Sequence, residues 1–354
     1  MDVYSANKAL RHLEILNNIK FHNGASAPAH VQLIVNNACN HNCRFCAYRD
    51  PTYTSNQLFD AKVMMNPHIA MQTIMMCRRM GVKAIQLSGG GEPAIYPAFD
   101  LILDRLLQID MPFAVVTNGT NLFKFRRQYA MADWIRVSID AGTPETYQMI
   151  RGLKSDKMLQ FKQVLLDIEE LAKTKPRRCV IGVGFVATPD NWSEMAQCAA
   201  LVRDAGVDNI RIGCQFSAKG ADIFEGKWDE VQAAAADAEA LATDSFRVYN
   251  RVPEKRSDLV AGRPDYKTCG YQYFTTFIGA DSNVYRCCVT AYNRTGLIGN
   301  IRDVHFEALW DSDERRQNMK EFCATECERC QFNNQNRLLN YILSSEPQLH
   351  ENYV

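Results

Sequence analysis

The segment Val31-Gln-Leu-Ile-Val-Asn-Asn-Ala-Cys39-Asn-His-Asn-Cys43-Arg-Phe-Cys46 joins a short apolar run to three closely spaced cysteines. An apolar run of this length predicts a buried β-strand over residues 31–35. The cysteines follow in the loop directly after this strand. Because loops at the carboxyl ends of parallel strands carry the functional residues of β/α folds, the segment indicates both the fold and the place of its functional site.

The order of strand, loop and helix recurs along the chain. We predict six strands, at residues 31–35, 84–87, 113–116, 134–139, 180–186 and 209–212. Helices are predicted over about 5–20, around 71–75, and near 98–109, 121–131, 157–173 and 192–205. Parallel strands need crossover helices, so the expected fold class is α/β. Six units are fewer than the eight of a closed barrel, which favours a partial (β/α)6 TIM-like barrel.

The alternation stops after about residue 214, where an Ala-rich helix near 228–242 and a polar stretch follow. From residue 269 onward come short strand-like pieces, six cysteines and a final polar helix. We therefore predict a small C-terminal α+β iron–sulfur domain. The predicted organisation is an N-terminal helix (1–25), the partial barrel (26–214), a connector helix and loop (215–264) and the auxiliary domain (265–354).

The composition is that of an ordinary soluble protein. The 354 residues are 47% hydrophobic and 23% charged, and 40 Lys and Arg balance 40 Asp and Glu. This neutral balance indicates neither a nucleic-acid nor a membrane partner. We see no secretory signal and no apolar run of the roughly 20 residues that span a membrane, so a cytoplasmic location is expected. In a reducing compartment, the 13 cysteines indicate metal binding rather than disulfides.

Cys39, Cys43 and Cys46 place three thiols on one tight loop. A [4Fe–4S] cluster has four irons, so three cysteines leave one iron open to a small-molecule ligand. Two alternatives stay open: a zinc site completed by His41, and cysteines that bind no metal. Zinc sites usually use two separated ligand pairs, which favours the iron–sulfur interpretation.

The C-x3-C-x2-C spacing, with Phe45 before the last cysteine, resembles the signature of the radical S-adenosylmethionine (radical SAM) superfamily. The resemblance covers most of the chain. It implies that the open iron takes the amino and carboxylate groups of S-adenosylmethionine. Electron transfer would then split the sulfonium into methionine and a 5′-deoxyadenosyl radical.

The loop after the second predicted strand resembles the family's GGE motif. Gly90, Gly91 and Glu92 match it, which implies that Glu92 holds the methionine amino group. An ordinary glycine-rich turn is the alternative. Asn118 follows the third strand and is a further candidate for cofactor binding, although Thr-Asn-Gly is also a common turn.

Three later residues are also implied by the resemblance. Ser138 and Asp140 end the fourth strand, where related enzymes hold the ribose or methionine part of the cofactor. Arg151 resembles an arginine that pairs with the cofactor carboxylate in a subgroup of the family. The alternatives are a solvated loop for the first two residues and an ordinary surface arginine for the third.

The C-terminal cysteines resemble the extension called SPASM, or its shortened form, Twitch. No cysteine follows Cys330, which favours a Twitch-like domain with one auxiliary [4Fe–4S] cluster. Family members usually have glycine where Ser282 stands, so the hairpin turn departs from the pattern. A structural zinc is the alternative. The expected ligands are Cys269, Cys287, Cys327 and Cys330, while Cys288 and Cys323 have no assigned role.

The resemblance implies hydrogen abstraction from a substrate, in a net oxidation or rearrangement assisted by the auxiliary cluster. Only 38 residues precede Cys39, which is short for the N-terminal recognition domain of many peptide-modifying relatives. We therefore expect a small polyol, sugar or nucleoside-like substrate, with a peptide- or protein-modifying maturase as the alternative. Weak candidates for the base are Arg211 and Asp281. A flavodoxin or ferredoxin is the expected reducing partner, and a non-catalytic iron–sulfur or zinc protein is the remote alternative.

Overall fold

The protein was analysed as a computed structural model that describes residues 3–22, 24–50, 57–154 and 159–344. Within these ranges the strands form one sheet with the order β10-β9-β8-β1-β2-β3-β4-β5-β6-β7. Neighbours from β8 through β1 to β7 are parallel, and β8, β9 and β10 are antiparallel. The strands are β1 His30–Leu33, β2 Ala84–Leu87, β3 Phe113–Thr117, β4 Trp134–Ser138, β5 Val180–Ala187, β6 Asn209–Cys214, β7 Arg247–Asn250, β8 Thr275–Ile278, β9 Asn283–Tyr285 and β10 Leu297–Asn300.

Helices connect the parallel strands and flank the sheet. Their sequence explains their ends: in α2, the Asn66 side chain accepts from the His68 N–H, Pro67 takes the first turn, and Gly81 ends the helix at a φ of 84°. The helices are α1 Leu13–Phe21, α2 Pro67–Met80, α3 Phe99–Gln108, α4 Arg126–Tyr129, α5 Pro144–Ile150, α6 Leu159–Thr174, α7 Met195–Asp204, α8 Trp228–Glu239, α9 Val252–Ala261, α10 Phe306–Trp310, α11 Asp313–Glu321 and α12 Asn333–Leu343.

The two faces of the parallel sheet differ in chemistry. In β4, Ile135 and Val137 are fully buried in the main core, which the helices cover. Arg136 and Ser138 alternate with them and therefore lie on the opposite face. The polar face of the sheet therefore lies on the side away from the helices.

The six predicted strands and the α/β class are confirmed, with small shifts at the ends of the strands. The structure adds β7, which pairs with β6 inside the stretch that was predicted as a connector. It also adds α5, between β4 and α6. The predicted hairpin of the C-terminal region is present as β8 and β9.

The C-terminal region shares the sheet of the barrel region. β8 pairs in parallel with β1, with His30 opposite Thr275 and Leu33 opposite Ile278. The loops that follow β1 and β8 therefore leave the same edge of the sheet. The domain boundaries at residues 25, 214 and 264 stay predictions.

Candidate active site

The loop that carries Cys39, Cys43 and Cys46 is fixed by the end of α5. The Asn42 N–H donates to the Arg151 carbonyl at 3.0 Å, and the Arg44 N–H donates to the Ile150 carbonyl at 2.9 Å. The Gly152 backbone packs closely against the loop, because a Cβ there would lie 2.3 Å from the Asn42 carbonyl oxygen. Backbone contacts with a later helix therefore hold the three thiols on one ordered loop.

The thiols lie close to one another and to Glu92. Burial raises the pKa of Cys39 to about 11, and the nearby charges of Glu92 and Cys43 act in the same direction. Burial also raises the pKa of Cys46, again with a contribution from Cys43. Without a metal, the thiols of Cys39 and Cys46 thus resist ionisation. A bound cation would reverse this, because metal binding removes thiol protons.

His41 is buried, but its ring contacts other partners. Its Nε2 lies 2.9 Å from the Gln160 side-chain nitrogen, and the ring packs edge-on against Tyr147 at 6.2 Å. Its backbone N–H donates to Cys39 Sγ at 3.4 Å. Among the described residues, no three His, Cys, Asp or Glu side chains are grouped as ligands of a single ion. An iron–sulfur cluster takes one thiolate on each iron instead, which suits the set of three cysteines.

Glu92 follows β2 and is buried beside this loop. Its carboxylate accepts hydrogen bonds from the Thr117 hydroxyl at 2.6 Å, the Asn118 N–H at 2.7 Å and the Ala94 N–H at 3.1 Å. Burial raises the pKa of the Glu92 carboxyl, while these three hydrogen bonds oppose the rise. A carboxylate has about four acceptor sites, so one remains for an ammonium group.

The glycines before Glu92 are required by the cysteine loop. A Cβ on Gly91 would lie 1.9 Å from the Ala38 carbonyl oxygen, and one on Gly90 would lie 2.3 Å from the Asn37 side-chain oxygen. The Gly91 N–H donates to the Asn36 carbonyl at 3.0 Å. These residues therefore allow close approach of two backbone loops, which brings Glu92 to the cysteines.

Asn118 connects the two loops. Its backbone N–H donates to Glu92, and its side-chain amide donates to the Asn40 side-chain oxygen at 2.8 Å. Asn40 lies between the first two cysteines. Thr117, beside Asn118, and Asn36, which donates to the Glu92 carbonyl at 3.0 Å, were missed in the sequence. Both residues could have been found from their position, since each is a polar residue at or just after the end of a strand.

Asp140 and Arg151 form a buried ion pair next to Cys43. Arg151 Nη2 donates to Asp140 Oδ2, and Arg151 Nη1 donates to Cys43 Sγ at 3.5 Å. Burial by itself lowers the pKa of Arg151, but the charges of Asp140 and Cys43 raise it above its usual range. Asp140 Oδ1 also accepts from the Val186 N–H at 2.6 Å. Asp140 thus orients Arg151 toward the cysteine loop.

The Arg151 Nε is an unused donor. It is buried and has no hydrogen-bond partner among the described residues. A buried donor without a partner is costly, so a ligand oxygen would stabilise this position. Ser138 is half-buried and lies in register with Gly184 of β5. Glu92 and Arg151 thus place a buried carboxylate and a buried guanidinium beside the cysteine loop, groups that can pair with an ammonium and a carboxylate.

The structure brings the four predicted auxiliary cysteines together. Burial raises the pKa of Cys269 to about 12, with contributions from the nearby Cys287 and Cys330. Burial also raises the pKa of Cys327, where Cys287, Cys269 and Cys330 contribute. Four neighbouring thiols suit a second iron–sulfur cluster, which takes one thiolate on each iron, whereas among the described residues they are not grouped as ligands of a single zinc ion.

The other two C-terminal cysteines differ in their surroundings. Cys288 Sγ accepts from the Gln331 side chain at 3.5 Å, and the thiol also contacts Gln32 of β1 and lies beside Cys287. Cys323 lies 3.0 Å from the Thr325 hydroxyl, which lowers its pKa. The pKa of Cys323, unlike that of Cys288, carries no contribution from the four candidate ligands.

The two weak candidates for a base differ in position. Asp281 lies in the β8–β9 turn, where its carboxylate accepts from the Tyr285 hydroxyl at 2.6 Å and the Asn283 side chain at 2.7 Å. It therefore stabilises the hairpin. Arg211 lies on the polar face of β6 and lines a cavity there. An arginine stays protonated in proteins, so it is a poor base.

Comparison with known families agrees with this geometry. Residues 33–171 match the Radical SAM superfamily, and residues 269–331 match SPASM, an iron–sulfur cluster-binding domain. The first match contains the cysteine loop, the Glu92 loop and Arg151, and the second contains the auxiliary cysteines. The chain contains a radical SAM domain and a SPASM domain. The radical SAM domain implies a [4Fe–4S] cluster and S-adenosylmethionine, and the SPASM domain implies auxiliary iron–sulfur binding.

Individual relatives match the radical SAM enzyme over different lengths. It is 28% identical to a probable GTP 3′,8-cyclase of Thermococcus kodakarensis over 38% of this chain, and the match spans 41% of that relative's length. It is 26% identical to the mycofactocin maturase MftC of Mycobacterium ulcerans over 82% of this chain and 76% of the maturase. Streptococcus suis SuiB bound to precursor peptide SuiA shares the fold, with a TM-score of 0.63 at 13% identity, over 98% of this chain and 80% of SuiB.

Within the described ranges, each helix of this radical SAM enzyme is too short or too polar to cross a bilayer.

Proposed function

We propose that this radical SAM enzyme modifies a peptide or protein, as a maturase. The observation that carries the proposal is the match to the mycofactocin maturase, which extends over 82% of the chain and 76% of the relative. The fold of SuiB, determined with a precursor peptide, supports the same substrate class.

This proposal replaces the small-molecule substrate that the sequence favoured. That preference depended on the 38 residues before Cys39, and the maturase relatives count against it. The cyclase match covers 38% of the chain, against 82% for the maturase. The longer match therefore decides the substrate class that we propose.

In the proposed site, Cys39, Cys43 and Cys46 hold the cluster, and Glu92 accepts the cofactor's ammonium group. Asp140 orients Arg151, whose free Nε is aligned for a carboxylate oxygen. When bound, the cluster and S-adenosylmethionine supply a 5′-deoxyadenosyl radical for hydrogen abstraction. The protein contributes the buried side chains of Glu92, Asp140 and Arg151, which act away from bulk water.

The auxiliary site completes the proposal. Cys269, Cys287, Cys327 and Cys330 are the proposed ligands of one further [4Fe–4S] cluster, as in a Twitch-like domain. Two four-iron clusters predict about eight irons per chain, and zinc with only four irons would contradict this. We propose a cytoplasmic setting and electron supply from a flavodoxin or ferredoxin, which maintain reduced clusters.

The test is substrate-dependent formation of 5′-deoxyadenosine by the anaerobically reconstituted enzyme with reductant and S-adenosylmethionine. One reaction series contains pools of synthetic peptides, and the other contains polyols, sugars and nucleosides. Peptide-dependent product, with loss of hydrogen from a peptide in the mass spectrum, supports the proposal. A response to the small molecules alone would overturn it.

Two variants serve as controls for this test. The Cys39→Ala/Cys43→Ala/Cys46→Ala protein should form no 5′-deoxyadenosine, while the auxiliary iron remains. Cys323→Ala removes a cysteine outside both proposed clusters and should leave turnover unchanged. Normal activity in the triple variant would refute the assignment of the radical cluster.

A further inference from the structure

The polar face of the sheet contains two arginines in one patch. Arg136 lies on β4 and Arg211 on β6, and β5 runs between them. Arg136 is in register with Gly182, and Arg211 is in register with Gly184. Because paired residues of parallel strands point to the same face, both guanidinium groups extend from the polar face.

Glycines on β5 make room for these side chains. A Cβ on Gly184 would lie 3.3 Å from Arg136 Cδ, so the arginine side chain passes over the glycine. A Cβ on Gly182 would lie 2.6 Å from the Asn209 side-chain oxygen. The strand between the two arginines therefore presents backbone rather than side chains, and the Arg136 and Asn209 side chains lie against it.

The two arginines have no balancing carboxylate among the described residues. Nearby cations do have partners, since Arg251 pairs with Glu254 and Lys255 pairs with Asp258 at 3.0 Å. Burial lowers the pKa of Arg136 to about 10. The charge of Arg211 lowers this pKa further, whereas Tyr4 raises it. Arg211 Nε is buried and lacks a hydrogen-bond partner in the described part of the chain. The patch thus has an excess of positive charge.

Tyr4 shows that this position accepts an oxygen atom. Arg136 Nη2 donates to the Tyr4 hydroxyl oxygen at 2.8 Å. The Tyr4 ring also lies 5.2 Å from the Arg211 guanidinium and 5.1 Å from that of Arg251. A neutral phenol neutralises none of these charges, so an anionic oxygen in the same place would bind more strongly.

The two arginines line one cavity on the polar face. Its volume is about 480 Å³, and Gln32, Gln86 and Cys288 are among its other lining residues. Arg211 is in register with Gly184, which is in register with Ser138 at the strand end. The arginines therefore share the polar face with Ser138, one of the candidate cofactor residues.

We propose that Arg136 and Arg211 bind an anionic group of the substrate, a carboxylate in the peptide that the enzyme modifies. The proposal depends on the peptide-modifying function above and adds a specificity determinant to it. Two guanidinium groups that line one cavity can hold a carboxylate by charge-assisted hydrogen bonds. They would position the peptide without taking a proton from it.

The test measures binding of fluorescent peptide pools to the enzyme reconstituted with its clusters and S-adenosylmethionine. One pool contains Asp and Glu, and a matched pool has Asn and Gln in their places. A third probe is a labelled nucleoside triphosphate. The variants are Arg136→Gln, Arg211→Gln and Arg211→Lys, with Arg203→Gln on the exposed surface of α7 as the matched control.

We expect the wild type and Arg203→Gln to bind the acidic pool better than the amide pool. Arg136→Gln and Arg211→Gln should lose roughly tenfold or more in affinity for the acidic pool alone, and Arg211→Lys should retain part of the preference. Melting temperatures of the variants show that each is folded. Equal binding of the two peptide pools in the wild type, or a preference that survives in both Gln variants, would overturn the anion site.

The outcomes also separate this inference from the proposed function. Arginine-independent binding of both peptide pools would support the peptide substrate and overturn the anion site. Arginine-dependent binding of the nucleoside triphosphate, without binding of either peptide pool, would support the anion site and overturn the peptide substrate. Binding of none of the probes by folded wild-type enzyme would count against both.

Discussion

Replacing Asp140 by asparagine removes one charge of the buried ion pair and preserves the local backbone. Asp140 has a φ of 57°, a left-handed conformation that asparagine also adopts. The amide oxygen of the variant still accepts from the Val186 N–H, which now lies 2.6 Å from Oδ1. The substitution therefore removes the charge and the acceptor that face Arg151 and preserves the contact with the backbone.

The expected cost follows from the burial of the pair. The side chains of Arg151 and Asp140 are 4% and 1% exposed, so the remaining guanidinium stays shielded from water. Removing one partner of such a pair costs about 3–5 kcal/mol. For a protein of this size, we expect the melting temperature to fall by roughly 4–7 °C.

The assay is thermal unfolding of the anaerobically reconstituted wild type, Asp140→Asn, Arg151→Gln and the double variant. The double variant should lose less stability than the sum of the single variants, because the two residues interact. Asp204→Asn is the matched control, since its partner Arg203 lies on the surface and exposed pairs contribute about 1 kcal/mol or less.

Two results would refute this reasoning. One is a melting temperature for Asp140→Asn that falls no further than that of Asp204→Asn. The other is strict additivity in the double variant, which would mean that the two side chains stabilise the fold independently.

Three further predictions concern other parts of the molecule. Ser282→Gly should raise stability by up to about 1 kcal/mol, because Ser282 has a φ of 65°; a lower melting temperature would contradict this. Burial lowers the pKa of His30 to about 4, and the charge of Lys8 adds to this effect. In the unfolded chain the pKa of this histidine is 6.5. The unfolded state therefore binds the proton first, and stability falls as pH drops below 6.5. The wild type should lose about 2 kcal/mol more than His30→Gln between roughly pH 7 and 5, and parallel unfolding curves would refute this. Cys327→Ala should lose the auxiliary iron and Cys323→Ala should keep it, as iron analysis will show; equal loss would contradict the grouping of the thiols.

The fold was predictable where local patterns determine it. Apolar runs such as Val31–Val35 marked the six core strands, because each is buried under helices. β7 was missed because its residues, Arg247–Asn250, are exposed or half-buried at the edge of the sheet. α5 was missed although Thr143 and Pro144 provide a recognisable start, since its seven residues are too few for a clear period.

The candidate site was predictable as a set of residues but not as a set of contacts. The spacing of Cys39, Cys43 and Cys46 is a local signal, and so is the glycine run before Glu92. The contact of Arg151 with Asp140 depends on how α5 packs against β4, and no periodic pattern in the sequence encodes that packing. The neighbouring positions of Arg136 and Arg211 were equally unpredictable, because they depend on the register of β4 and β6 with the glycines of β5.

The pairing of β1 with β8 has a consequence for biosynthesis. β1 is made early, yet one of its two edges is satisfied only when β8 emerges, after β2 to β7 have been translated. Until then the nascent chain exposes the backbone donors and acceptors of a strand with apolar neighbours, a template for pairing with other chains. Such long-range pairing slows folding, so truncated chains that end before Thr275 should aggregate during expression, and chaperones should matter more for this enzyme than its size suggests.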